Sequence, residues 1–166
     1  GIRHILPIYP FIFVLISKIV YADFMKNRNF RKLFIILIVW LIFSSVKIFP
    51  HYIAYFNEFI GGPGQGYRYL VDSNLDWGQD LMGLKKYMEK NKIKKVKLAY
   101  YGCARPEYYN IEYEELPSEP TTGFIAVSVN CLQRINKPRI GGRYQWLKKY
   151  TPIAKIGYSI FIYDIK

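Results

Sequence analysis

The sequence predicts an α-helical transmembrane hairpin followed by a small extracytoplasmic α/β domain with a mainly parallel sheet. Three observations predict it. Two long apolar runs open the chain, a short basic segment separates them, and more than a hundred residues of alternating strand-like and helix-like pattern follow. The first run, about residues 5–22, and the second, about 33–49, have the length a helix needs to cross a bilayer. Lys18 and Lys47 stand near run ends, where a long side chain can reach the interface. The turn between them, 23–32, carries Lys26, Arg28, Arg31 and Lys32 against Asp23. Short basic loops stay in the cytoplasm, so the turn is expected inside and everything after about residue 50 outside. A multi-pass cell-membrane protein is the expected setting.

The net charge of +12 divides evenly. Residues 1–50 hold seven Lys or Arg against one Asp, and the remainder hold seventeen against eleven acidic groups. In the second part the lysines concentrate between Lys85 and Lys97, which suits either a solvated helix face or attraction to anionic headgroups and carrier phosphates. No nucleic-acid recognition motif is present, and none is expected to bind. The chain begins at Gly1 without a signal-peptide pattern, which leads us to expect the C-terminal piece of a larger polytopic protein.

Residues 1–52 thus read as two membrane helices. Residues 53–66 read as an interfacial segment and a glycine hinge: HYIAYFNEFI is aromatic and amphipathic, and GGPGQG lacks the lysine and hydroxyl of a phosphate-binding loop. Residues 67–166 read as the α/β domain. Strands are expected at Tyr67–Val71, Val96–Tyr101, Phe124–Val129 and Tyr158–Asp164. A helix is expected over Trp77–Asn91 with Trp77, Leu81, Leu84 and Met88 on one face, and a short one over Arg143–Tyr150. Alternation of this kind favours a parallel sheet. Cys103 and Cys131 each follow a strand, where an oxidising compartment would let them pair if their Cα atoms come within about 7 Å.

The densest polar cluster is DSNLDWGQDL. Asp72, Asn74, Asp76, Trp77, Gln79 and Asp80 join a strand end to a helix start, where open α/β sheets place ligands. Carboxylates and amides bind sugar hydroxyls, and an indole covers the apolar face of a pyranose. The same residues suit a helix start, with Asp76 as N-cap and Gln79 three positions on. Arg105, with Tyr100, Tyr101, Glu107, Tyr108 and Tyr109, stands beyond the second strand on the same expected edge. Glu112, Glu114, Glu115 and Glu119 read as a solvated acidic stretch. No catalytic triad and no metal-ligand spacing occurs. Arg3 and His4 stand at the outer end of the first run, suited equally to interfacial anchoring and to gripping a lipid phosphate.

GIRHILPIYPF, HYIAYFNEFIGG, YRYLVDSNLDWGQDL, the AYYG and RPEYY segments and the closing IGYSIFIYDI together resemble the C-terminal end of bacterial lipid-carrier-dependent glycosyltransferases of the GT-C type, which are similar to protein O-mannosyltransferases and aminoarabinose transferases. The resemblance covers nearly the whole chain, and DSNLDWGQDL is its most specific part. It implies an enzyme that moves a sugar from a polyprenyl-phosphate donor to an acceptor outside the membrane, with membrane lipids as further partners. The catalytic acid in such enzymes lies upstream, so no catalytic residue is expected here. Arg3 and His4 match the region near the carrier phosphate, and the α/β domain would border the active-site cavity. The alternative expectation is a membrane-tethered, non-catalytic module that binds a glycan or a partner. Neither the sugar nor a cofactor is specified.

Overall fold

Spatial contacts divide the chain into two compact units, residues 1–50 and 51–166, in a computed structural model that describes residues 6–18, 26–133 and 143–166. In the first unit a 3-10 turn, Leu6–Ile8, runs into helix α1, Tyr9–Ser17, with Pro10 in its first turn, where a missing N–H is tolerated. Helix α2, Arg28–Ile48, is capped by the Asn27 side chain, which accepts from Asn29 N at 2.9 Å.

The expected membrane hairpin is corrected here. The nine residues of α1 rise about 14 Å, against about 30 Å of bilayer hydrocarbon. In α2 the stretch free of polar residues is Leu33–Phe43, bounded by Arg31 and Lys32 before it and by Ser44, Ser45 and Lys47 after it. At 1.5 Å per residue that stretch covers about 16 Å. Among the described residues no helix is long and apolar enough to cross a membrane. The transmembrane spans, the multi-pass membrane setting and the extracytoplasmic placement inferred from them fall together, because the sidedness argument presupposed two spans. The apolar side chains of both helices, Phe11, Leu15, Leu41 and Phe43 among them, are exposed. Residues 19–25, which include Asp23, lie outside the described residues.

In the second unit five strands form one sheet in the order β2-β1-β3-β5-β4. They are β1 Val96–Ala99, β2 Tyr113–Glu115, β3 Gly123–Ser128, β4 Ala154–Ile156 and β5 Ile160–Ile165. β1 runs parallel to β2 and to β3, whereas β5 is antiparallel to β3 and to β4. The sheet is therefore mixed rather than mainly parallel. The reason is local: β4 enters β5 through a tight turn in which Gly157 and Tyr158 both take left-handed φ and Ser159 N bonds Ile156 O at 3.1 Å. A hairpin of this kind can only deliver an antiparallel strand. Both edges carry charge, Glu114 and Glu115 on β2 and Lys155 on β4, which discourages pairing with another chain.

Side chains alternate across the pleat and make two cores. Ile125, Val127, Phe161 and Tyr163 face one side with Ala54, Phe56, Leu75, Val129, Leu132 and Leu147. Ala126, Ile160 and Ile162 face the other, covered by Leu81, Leu84 and Met88 of helix α4, Leu81–Lys90. α4 ends in a Schellman motif: Ile93 N bonds Met88 O at 2.9 Å, Lys92 N bonds Glu89 O at 3.2 Å, and Lys92 is left-handed. Leu84 is fully buried, so Leu84→Ala should cost about 3 kcal/mol of stability in urea unfolding. A loss below about 1 kcal/mol would mean that α4 does not close this core.

Three other expected elements differ. No strand forms at 67–71. Instead helix α3, Pro63–Gly66, leads into a turn that drops the Tyr67 ring edge-on against Phe161 at 5.0 Å, with Lys155 Nζ 4.5 Å from the Tyr67 centroid. The segment expected to lie in a headgroup layer forms two 3-10 turns, Tyr52–Ala54 and Glu58–Ile60, and places Ala54 and Phe56 in the core. The expected short helix near 143–150 is a 3-10 turn, Gln145–Lys149. Cys103 is exposed, Cys131 is half-buried, and both thiols are free.

Candidate functional site

β1 and β3 point the same way, so their ends, Ala99 and Ser128, lie on one edge of the sheet. Ser159, at the start of the antiparallel β5, comes to that edge as well, opposite the end of β3. The loop 72–80 is pinned there by groups distant in sequence. Asn130, in the short helix α5, Val129–Gln133, accepts from Asp72 N at 2.7 Å through Oδ1 and donates to Asp76 O at 3.1 Å through Nδ2. Tyr101 donates its hydroxyl to Asp72 Oδ1 at 3.1 Å, and its backbone N–H bonds Ser128 Oγ at 3.0 Å. Tyr100 donates its hydroxyl to Gly78 O at 2.5 Å. Asp80 Oδ2 accepts from Ser159 Oγ at 2.6 Å and from Gln79 Nε2 at 3.1 Å, while its Oδ1 lies 3.5 Å from His51 Nδ1.

Gly78 shows why the loop fits. Its φ of +76° is left-handed, and a Cβ there would collide with the Tyr100 hydroxyl and stand 2.7 Å from the Tyr101 carbonyl oxygen. The backbone of the loop thus rests directly on the segment that leaves β1.

The expected site residues are gathered in one loop but do different work from that expected of them. Asp76 is fully buried; its Oδ1 accepts from Gly78 N at 2.9 Å and its Oδ2 finds no hydrogen-bond partner. Asp80 is buried as well. Neither caps a helix through its side chain: α4 starts at Leu81, and Asp80 holds the N-cap position without a cap bond. The capping box expected of Asp76 and Gln79 is absent, because Gln79 folds back on its own loop. Gln79 Oε1 accepts from Trp77 N at 2.8 Å, and Nε2 donates to Leu75 O at 3.1 Å. Asn74 Nδ2 reaches Val71 O at 3.3 Å. Trp77 is the outward member, 55% exposed, with its indole N–H held by Ser73 O at 3.1 Å. Arg105 is exposed at the head of a 3-10 turn, Pro106–Tyr109, and makes no bond to the loop 72–80 among the described contacts. Arg3 and His4 lie outside the described residues.

Burial sets the electrostatics. It pushes the Asp76 carboxyl up to about 6, opposed in part by the Gly78 and Asn130 N–H groups and the Ser128 hydroxyl and reinforced by the nearby Asp80. It raises Asp80 too, opposed by the Ser159 hydroxyl, His51 and the Gln79 amide. The Tyr100 hydroxyl and the Cys131 thiol are each driven to about 12, first by burial and then by the Asp76 charge. Among the described residues no group of three or more His, Cys, Asp or Glu is placed to hold a metal ion.

Sequence reasoning missed Asn130, Ser128 and Ser159, which are buried and hold the loop. Small polar residues directly beyond a strand or inside a hairpin turn are a weak signal for such a role. His51, expected at a membrane boundary, is instead a neighbour of Asp80, edge-on to Tyr158 at 5.9 Å. Away from this loop, a shallow concavity lies around β2, lined by Lys95, Glu107, Glu112 and Glu114. Its carboxylates are partly spent on Tyr113, whose hydroxyl donates to Glu107 at 2.7 Å, and on Lys95, 3.5 Å from Glu114. Compared with protein-family models, curated proteins and solved structures, the chain finds no match in any of the three.

Proposed function

We propose that residues 51–166 are the sugar-facing, non-catalytic part of a glycosyltransferase that takes its sugar from a polyprenyl-phosphate carrier. The observation that carries this reading is Trp77. Its ring is exposed, yet both its N–H groups are tied within the loop, so the indole is a rigid platform at the strand ends. A preset aromatic face binds a pyranose without first losing side-chain freedom. Asp76 and Asp80 lie inside the protein and Asp72 is engaged by Tyr101, so the loop offers no free carboxylate as general base. Chemistry would then come from elsewhere in the enzyme. The carrier and the reaction class rest on the sequence resemblance.

Titrating the intact chain with polyprenyl-phosphate mannose and with free mannose, followed by tryptophan fluorescence, tests the reading. Saturable binding is expected, and Trp77→Ala should weaken it about tenfold, in line with the loss of one stacked aromatic face. Absence of binding, or binding indifferent to Trp77, would defeat it. The burial of Asp76 and Asp80 and the engagement of Asp72 by Tyr101 equally favour a stand-alone glycan-binding module. Equal affinity for free mannose and the carrier-linked sugar would select that second reading.

A further inference from the structure

Asp76 is the one residue of the ligand loop whose chemistry is unfinished. It is fully buried, and one carboxyl oxygen is bonded to Gly78 N while the other has no partner. The groups that face it from the surrounding elements are Asp80 at the head of α4, Tyr100 beyond β1 and Cys131 of α5, together with neutral Ser128 and Asn130. Among the described residues no cation faces it. His51 lies on the far side of Asp80, at that residue's other oxygen. A proton on Asp76 leaves a neutral group in this setting. Its loss leaves a buried charge that, among the described residues, only hydrogen-bond donors and no cation offset, a state relieved by letting water reach Oδ2.

Water can reach Oδ2 only if the loop lifts, and the loop is attached by a small set of polar contacts: Asn130 to Asp72 and Asp76, Tyr100 to Gly78, Tyr101 to Asp72, and Ser159 and His51 to Asp80. We propose that Asp76 is a proton-operated latch for the loop 72–80. With Asp76 neutral the loop stays closed and Trp77 is held in place; with Asp76 ionised the loop loosens. As regulation of sugar binding the latch rests on the reading above, whereas as a property of the loop it stands without it. The direction follows from linkage: the closed loop holds the proton more tightly than the open one, so acid closes it.

Amide hydrogen exchange at Gly78 and Trp77 tests the latch without any ligand. Exchange in the natural chain is compared with that in Asp76→Asn at the same pH, which cancels the intrinsic dependence of exchange on pH. Asparagine keeps the shape and cannot ionise. The ratio of the two rates should stay near one at pH 3.5 and rise by up to about a hundredfold at pH 7.5, the limit set by the displacement of the carboxyl from its ordinary value. A ratio unchanged between the two pH values would overturn the proposal, and so would a pH response that persists in Asp76→Asn, which would belong to another group. If Asp76→Asn does not fold, carbonyl-carbon NMR of the natural chain replaces it. The Gly78 amide must then shift with the Asp76 carboxyl; a carboxyl that titrates while Gly78 stays still also overturns the latch. Mannose titrations at both pH values separate the two ideas. An exchange response without sugar binding leaves the latch standing and removes the glycan reading.

Discussion

Replacing Asn130 with alanine should lower the stability of residues 51–166 by about 3 kcal/mol and release the loop 72–80. The amide is 1% exposed and satisfies two backbone groups at once, Asp72 N–H and Asp76 C=O. Truncation leaves both without partners, and each orphaned polar group costs about 1–3 kcal/mol. Asn130→Asp should be no better, because it keeps an acceptor for Asp72 N–H but loses the donor to Asp76 and adds a carboxylate beside two that are already buried. Urea unfolding measures the loss, and the fluorescence of Trp77 in the folded protein reports the released loop. A cost below 1 kcal/mol would mean that water or neighbouring groups take over both bonds, and that Asn130 does not position the loop.

Stability should fall as the pH rises from about 4 to about 6, against the usual acid sensitivity of proteins. Asp76 titrates near its ordinary value of 3.8 when unfolded and at about 6 when folded, because burial disfavours its charge. Between those values the folded protein carries a proton that the unfolded chain has lost. Its contribution is therefore fully present below the unfolded value and is lost as the pH passes the folded one. A displacement of about two units corresponds to about 3 kcal/mol. Asp80 is displaced in the same direction and adds to the trend. Glu107 opposes it: the Tyr113 hydroxyl lowers its value, but the group is exposed and its effect is screened by water. Unfolding at pH 4.5 and pH 7.5 should show the natural chain more stable at the lower pH, with most of the difference missing in Asp76→Asn. Stability that instead rises across this window would mean that Asp76 is not desolvated in solution.

Much of the second unit was legible in its residues. VKLA, FIAVS and FIYDI are short β-branched and aromatic runs that became β1, β3 and β5, and Leu81, Leu84 and Met88 at helical spacing became the buried face of α4. DSNLDWGQDL was legible as a polar segment ahead of a helix, but the strand expected to lead into it does not form, and the loop meets the ends of β1 and β3 instead. The apolar runs of the first unit were misleading, because a run counted in residues is not an uninterrupted apolar helix. Pro10 and the short α1 limit one, and arginine, lysine and serine bound the other. The three-residue strands β2 and β4 were too brief to carry a period, and Glu114 and Glu115 read as a solvated stretch because an edge strand shows one side to water.

The sequence by itself determined those strands and the helix α4, since each is written in neighbours a few residues apart. Only the tertiary structure decided the direction of β5, the inward turn of Asp76 and Asp80, and the choice of Asn130, Tyr100 and Ser159 as their keepers. The reason is that burial and hydrogen bonding in this loop are set by groups 22 to 79 residues away along the chain, and no local period encodes a contact across that separation.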